Sequence, residues 1–129
     1  MSEVTGVVVA HGAMADGLVS AVRRIAGTGA DALHPVSNEG RGPAELQAAV
    51  REVGGEGPVV VFTDMNAGSC GMAALASCRG CTRRQTVISG VNLPILLDFV
   101  FHRSLPLEEL VPRLLDKGRD AIVQFQAPE

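Results

Sequence analysis

The chain contains no tryptophan and no tyrosine, and only four phenylalanines. Proteins that hold single-stranded nucleic acid stack bases on such rings, so that class is disfavoured. Charge does not compensate. Eleven Lys and Arg stand against fourteen Asp and Glu, a net −3, whereas a nucleic-acid footprint needs a basic surplus. Long apolar runs are also lacking. The most apolar later stretch, Val91–Phe101, falls short of the roughly 20 residues that cross a bilayer, and it contains Asp98. No basic segment precedes the first apolar run, as a secretory signal would require. Cysteine is scarce and odd in number, at three, which reads as free thiols in a reducing compartment. The expectation is one domain over residues 1–129, large enough for a core, cytoplasmic, without nucleic acid and without membrane insertion.

What is present is organised around residues 4–14. Val4–Ala10 is a short, β-branched apolar run that stops at His11, and Gly12 then opens a segment of helical spacing. A strand, a tight turn and a helix follow from that pattern. The strand lacks alternation, as parallel strands covered on both faces do. Met14, Leu18, Val22 and Ile25 form an apolar stripe at the helical period, ended by Gly27 and Gly29.

Ala30–Val36 reads as a weaker strand, which Pro35 confines to an edge or a strand end. A loop at residues 38–42 leads to a helix from Pro43 to about Val53, with Leu46, Val50 and Val53 facing inward. Val59–Thr63 is a second continuous apolar strand. It ends at Asp64 and is followed by a small-residue helix to about Ser77. Thr86–Gly90 is a fourth strand. Asn92 caps a further helix with Pro94 in its first turn. Ser104 or Pro106 opens the last helix, in which Pro112 should cause a kink or a late start, and Gly118 leaves its end undefined. Ala121–Phe125 reads as a final strand. Alternation of this kind predicts an α/β fold with an open, mostly parallel sheet of four strands and helices on both faces.

Two strand ends carry chemistry. His11 and Asp64 each close a strand and each precede a glycine-containing loop. If the two strands are neighbours, both side chains reach one cleft at the carboxyl edge, where open α/β sheets bind ligands. A carboxylate on one ring nitrogen fixes the tautomer and leaves the other nitrogen free to attack. Gly12, Gly68 and Ser69 are the candidate phosphate contacts: glycine permits close backbone approach, and serine offers a hydroxyl. The helix beginning near Ala13 aims its first amides at the same place. The alternative is a structural pair that closes a turn.

Val7-Val-Val-Ala-His-Gly12, Asp64 with Gly68-Ser69, and Gly90-Val-Asn-Leu-Pro94 together resemble the enzyme IIA domain of the mannose-family sugar phosphotransferase system. The resemblance runs from Val4 to about Phe125. It implies a homodimer whose C-terminal edge strand is exchanged between subunits. It implies that His11 accepts a phosphoryl group from HPr at Nε2 and passes it to a histidine of an enzyme IIB protein, in association with membrane permease subunits. Asp64 is then the partner of His11, Ser69 and its neighbouring backbone contact the phosphate, and Gly90–Pro94 shapes the site.

The loop after Asp64 departs from the family pattern. Asn66 stands where that pattern has a bulky residue, Ala67 replaces a glycine, and Cys70 replaces a proline. The departure bears on partner identity. It keeps two other readings open: a regulatory IIA-like protein without sugar transport, and a small-molecule-binding α/β domain that has lost transfer. A role in a dihydroxyacetone kinase system fits Gly90–Pro94 less well.

No metal and no cofactor are expected. Cys78-Arg-Gly-Cys81 has ligand-like spacing but lacks an evident fourth donor. Together with Cys70 these thiols read as inert. His34 reads as a surface residue, His102 as a helix C-terminal contact, and Met14 and Met72 as core.

Overall fold

The computed structural model describes residues 3–77, 79 and 83–128. The sequence expectation for Cys78 and Cys81 lies outside them. Four strands, β1 (Thr5–Ala10), β2 (Leu33–Ser37), β3 (Val59–Thr63) and β4 (Gln85–Ser89), form one sheet in the order β2-β1-β3-β4. Every pairing is parallel. Five helices accompany them: α1 (Met14–Ala26), α2 (Pro43–Gly54), α3 (Gly68–Ala76), α4 (Leu93–His102) and α5 (Leu107–Asp120). A 3-10 segment at Gly27–Ala32 joins α1 to β2. The edge position expected of the Pro35 strand is met, since β2 is the outermost strand beside β1.

Alternation along the central strands divides the core in two. Val8, Val60 and Phe62 face α1, α4 and α5, whereas Val7, Val9, Val59 and Val61 face α2 and α3. Both layers are buried, which is why β1 and β3 read as unbroken apolar runs. Phe62 and Phe99 meet edge to face at 5.3 Å. Gly6 leaves room for that helix layer, because a Cβ there would lie 2.6 Å from Leu33 and 2.8 Å from Phe99.

The helical stripes differ from expectation in places. In α1 the buried positions are Ala15, Val19 and Val22, with Leu18 half-buried, while Met14 and Ile25 are exposed. The small Ala15 faces the sheet, so Met14, one residue round the helix, falls on the rim. Met72 is exposed as well, because α3 buries the opposite face through Cys70, Ala73 and Ala74. Neither methionine fills the core.

In α2, Leu46 and Val50 are buried and Val53 is partly so. Helix α5 starts at Leu107, capped by Pro106, and continues through Pro112 without a break or a late start. Gly118 lies inside it, not at its end. Residues 122–128 form no strand: Ile122, Val123 and Phe125 are exposed, with no apolar surface to cover them within one chain. No helix among the described residues is long and apolar enough to cross a membrane.

Candidate functional site

Parallel strands end on the same edge, so the residue after each strand joins one rim. Register places Val9 opposite Thr63, and the first residues beyond the two strands, His11 after Ala10 and Asp64 after Thr63, meet although 53 positions apart in sequence. Asp64 Oδ2 accepts two hydrogen bonds from His11, one from its backbone amide at 2.9 Å and one from ring Nδ1 at 2.7 Å. A carboxylate can only accept, so Nδ1 carries a proton, and in the neutral ring it is Nε2 that keeps its lone pair. Burial pulls the Asp64 carboxyl upward, but the His11 amide, ring contact and charge outweigh it and hold the group below its ordinary value. The His11 side chain is 41% exposed and that of Asp64 only 9%. The imidazole thus faces solvent while its carboxylate partner is shielded.

The first residue of α3 roofs the ring. Gly68 has φ +87°, and a Cβ there would stand 3.5 Å from both Cε1 and Nε2 of His11. Helix α3 has no side-chain cap, so its first-turn amides lack helical partners and suit an anion. Ser69 is exposed beside them. Sequence reasoning aimed the N-terminus of α1 at the site; the helix start that covers Nε2 is that of α3.

Gly12 is a structural hinge of the site. Its φ of +59° turns the chain after the strand. Its amide donates to Asn38 Oδ1 at 3.0 Å, and its carbonyl accepts from the Ser37 hydroxyl at 2.7 Å. The backbone of Gly12 is therefore engaged, and it holds the His11 turn in place. Ser37 and Asn38 were missed from sequence, although they too sit at a strand end, where polar residues after an apolar run were the available signal.

The Gly90–Pro94 stretch acts through backbone and helix ends. The Val91 amide donates to the Thr63 carbonyl at 3.0 Å, one residue before Asp64. The Thr63 hydroxyl donates to the Met65 carbonyl at 3.0 Å and contacts the Ser89 hydroxyl. Asn92 Oδ1 caps α4 by accepting from the Ile95 amide at 3.1 Å, and its Nδ2 donates to the Gly118 carbonyl at 3.0 Å.

Cys70 is wholly buried in the first turn of α3. Burial and the Asp64 charge push its thiol up, with a Ser69 hydrogen bond partly opposing them. His34 is half-buried on β2. His102 Nδ1 contacts the Asp98 carbonyl one turn back at 2.9 Å. Asp98 is itself buried and held by two bonds from the Arg113 guanidinium, each 3.0 Å.

An apolar groove of about 380 Å³ runs beside the site between α2 and α3, past Ser69, Met72 and Leu75. Met65, Met72 and Leu75 are all exposed.

The sequence matches the family described as PTS system fructose IIA component, EIIA-man, over residues 5–114. No curated protein sequence matches it significantly. Among solved structures it is similar to phosphotransferase system component EIIA from Streptococcus agalactiae, at 26% identity and a TM-score of 0.86, covering 94% of this chain and 96% of that one. The mannose/sorbose specific IIA subunit from Enterococcus faecalis is similar at 23% identity and a TM-score of 0.83, covering 99% and 98%. A sigma-54 interaction domain protein from Enterococcus faecalis shares the fold at 15% identity and a TM-score of 0.77, with 94% of each chain covered.

Proposed function

This chain belongs to the EIIA-man family of phosphotransferase-system IIA proteins, and from that premise we propose that it is a phosphoryl carrier with His11 as acceptor. The observation that carries the reading is the 2.7 Å bond from His11 Nδ1 to Asp64 Oδ2, which leaves Nε2 unprotonated under the first turn of α3. The donor is phosphohistidine on HPr. The Nε2 lone pair forms the new N–P bond, and the donor imidazole keeps the electron pair of the bond that breaks. Positive charge developing on His11 is met by Asp64. Charge on the transferring oxygens is met by the amides of Gly68, Ser69 and Cys70 and by the Ser69 hydroxyl. Onward transfer to an enzyme IIB histidine runs the same steps in reverse order.

A carrier has to seat two partners in turn on one face. The exposed Met14, Met65, Met72 and Leu75 beside His11 supply an adaptable apolar surface for this, since thioether side chains repack readily. We assign the chain to the cytoplasm and to a homodimer on the same reading. The altered Met65–Cys70 segment lies in that partner face. It favours, as a second reading, a regulatory partner downstream of the same phosphohistidine.

Incubation with enzyme I, HPr and phosphoenolpyruvate tests the proposal. Acid-labile label is expected on His11 and none on His11→Gln. Loss of a charge-assisted hydrogen bond costs about 1.5–3 kcal/mol, and exposure of the ring places this one toward the lower end. Asp64→Ala is therefore expected to label roughly tenfold more slowly. Unlabelled wild-type protein, with cognate partners present, refutes the reading.

A further inference from the structure

Phosphoryl transfer gives the Cys70 side chain no task. It is buried beside the reacting pair, and one donor atom each from His11, Asp64 and Cys70 lie within 4.8 Å of one another. An imidazole nitrogen, a carboxylate oxygen and a thiolate sulfur are the ligand types that zinc takes. A second observation points to the same spot. Asp64 spends Oδ2 on both His11 bonds, whereas Oδ1 is buried and, among the described residues, has no hydrogen-bond partner. The whole side chain is only 9% exposed. A buried, unpartnered carboxylate oxygen is unfavourable, and a cation beside it removes that penalty.

We propose that His11, Asp64 and Cys70 form a binding site for a zinc-like divalent cation, and that the bound ion disables His11 as an acceptor. Carboxylate and thiolate together match the charge of a divalent ion, and the thiol proton leaves to solvent on binding. Magnesium and calcium prefer all-oxygen shells and fit this donor set poorly. At zinc bond lengths, tetrahedral ligands stand about 3.4–3.7 Å apart. The donors, which lie within 4.8 Å of one another, therefore need to shift by about 1 Å at most, and the His11 side chain is the most exposed of the three. Three protein ligands leave a fourth position open to water or an anion at the rim, beside Ser69. Whichever ring nitrogen the ion takes, transfer stops. At Nε2 it consumes the attacking lone pair, and at Nδ1 it takes the place of the proton shared with Asp64 and leaves the ring's proton on Nε2. The inhibitory consequence rests on His11 being the acceptor; binding itself does not.

The test uses the full chain carrying Cys78→Ser and Cys81→Ser, so that Cys70 is its one remaining thiol. Cobalt(II) alone is titrated, then zinc(II) in competition with a chromophoric chelator. One equivalent of cobalt is expected to give a thiolate-to-cobalt charge-transfer band, which zinc bleaches. Cys70→Ala is expected to lose the band and to bind zinc at least about tenfold more weakly, with His11→Gln weakened comparably; circular dichroism confirms that both are folded. Labelling by phosphorylated HPr, each protein compared with itself with and without zinc, should fall in the parent and not in Cys70→Ala. No band, or equal zinc affinity in parent and Cys70→Ala, overturns the site. A band with undiminished labelling overturns the inhibitory role. A band in a protein that HPr never labels supports the site while refuting the carrier reading.

Discussion

At the scale of single residues, position relative to a strand end decides what each side chain does. His11 and Asp64 are ordinary residues brought together by register, and the shielded carboxylate sets the ring's tautomer. Because the Asp64 carboxyl is held below its ordinary value in the fold, its ionised form adds stability above the unfolded value, near pH 4. That contribution disappears as pH falls through the lower folded value. In urea unfolding, the advantage of wild type over Asp64→Asn should thus shrink steadily below about pH 4. An advantage that grows with acid contradicts the assignment. Gly68 is constrained twice, by φ +87° and by the ring beneath it. Gly68→Ala should lose about 1–2 kcal/mol to the left-handed backbone. It should also slow His11 labelling beyond what any unfolding explains, since its methyl would sit over Nε2. Denaturant curves read the first effect and labelling rates of folded protein read the second.

At the scale of elements, the site is held by contacts that no local pattern announces. Gly118 illustrates this. Glycine inside a helix costs about 0.5–1 kcal/mol relative to alanine, yet this one lies within α5 because a Cβ would stand 2.3 Å from Ile95 Cδ1. The close approach also lets Asn92 cap α4 and reach the Gly118 carbonyl at once. Gly118→Ala should cost about 1–3 kcal/mol through overpacking. Combining it with Ile95→Ala should cost clearly less than the sum of the two single changes. Additive thermal or urea data would show that α4 and α5 do not meet there. From sequence, Gly118 read only as an ill-placed helix stop, because its reason lies on another helix. Met14 was misread for a related cause: helical spacing finds a stripe but does not fix which neighbouring stripe faces the sheet. Alanines such as Ala15 contribute little to that pattern.

For the molecule as a whole, one sheet buried on both faces still leaves apolar side chains exposed among the described residues, Ile25 and Phe101 singly and two groups besides. One is the rim of Met14, Met65, Met72 and Leu75 beside His11; the other is the tail, where Ile122, Val123 and Phe125 are all exposed. The proposed exchange of C-terminal segments would cover the second. Sedimentation should therefore find the full chain as a dimer and a chain ending at Asp120 as a monomer. A full chain that sediments as a monomer at micromolar concentration removes the exchange. Each of helices α1–α5 contributes to the two core clusters and the tail to neither, so the truncated chain is expected to keep its helical circular dichroism.

Apolar runs closed by His11 and Asp64, glycine and proline punctuation, and the helical period between them determined the element order and the parallel α/β class. Those signals are local, and the physics behind them acts within a few residues. Only the tertiary structure decided that β1 lies between β2 and β3, that Ser37 and Asn38 brace Gly12, that α3 and not α1 roofs Nε2, and that Cys70 stands beside the pair. Each of these depends on strand register and helix docking, which are set by burial summed over the whole chain.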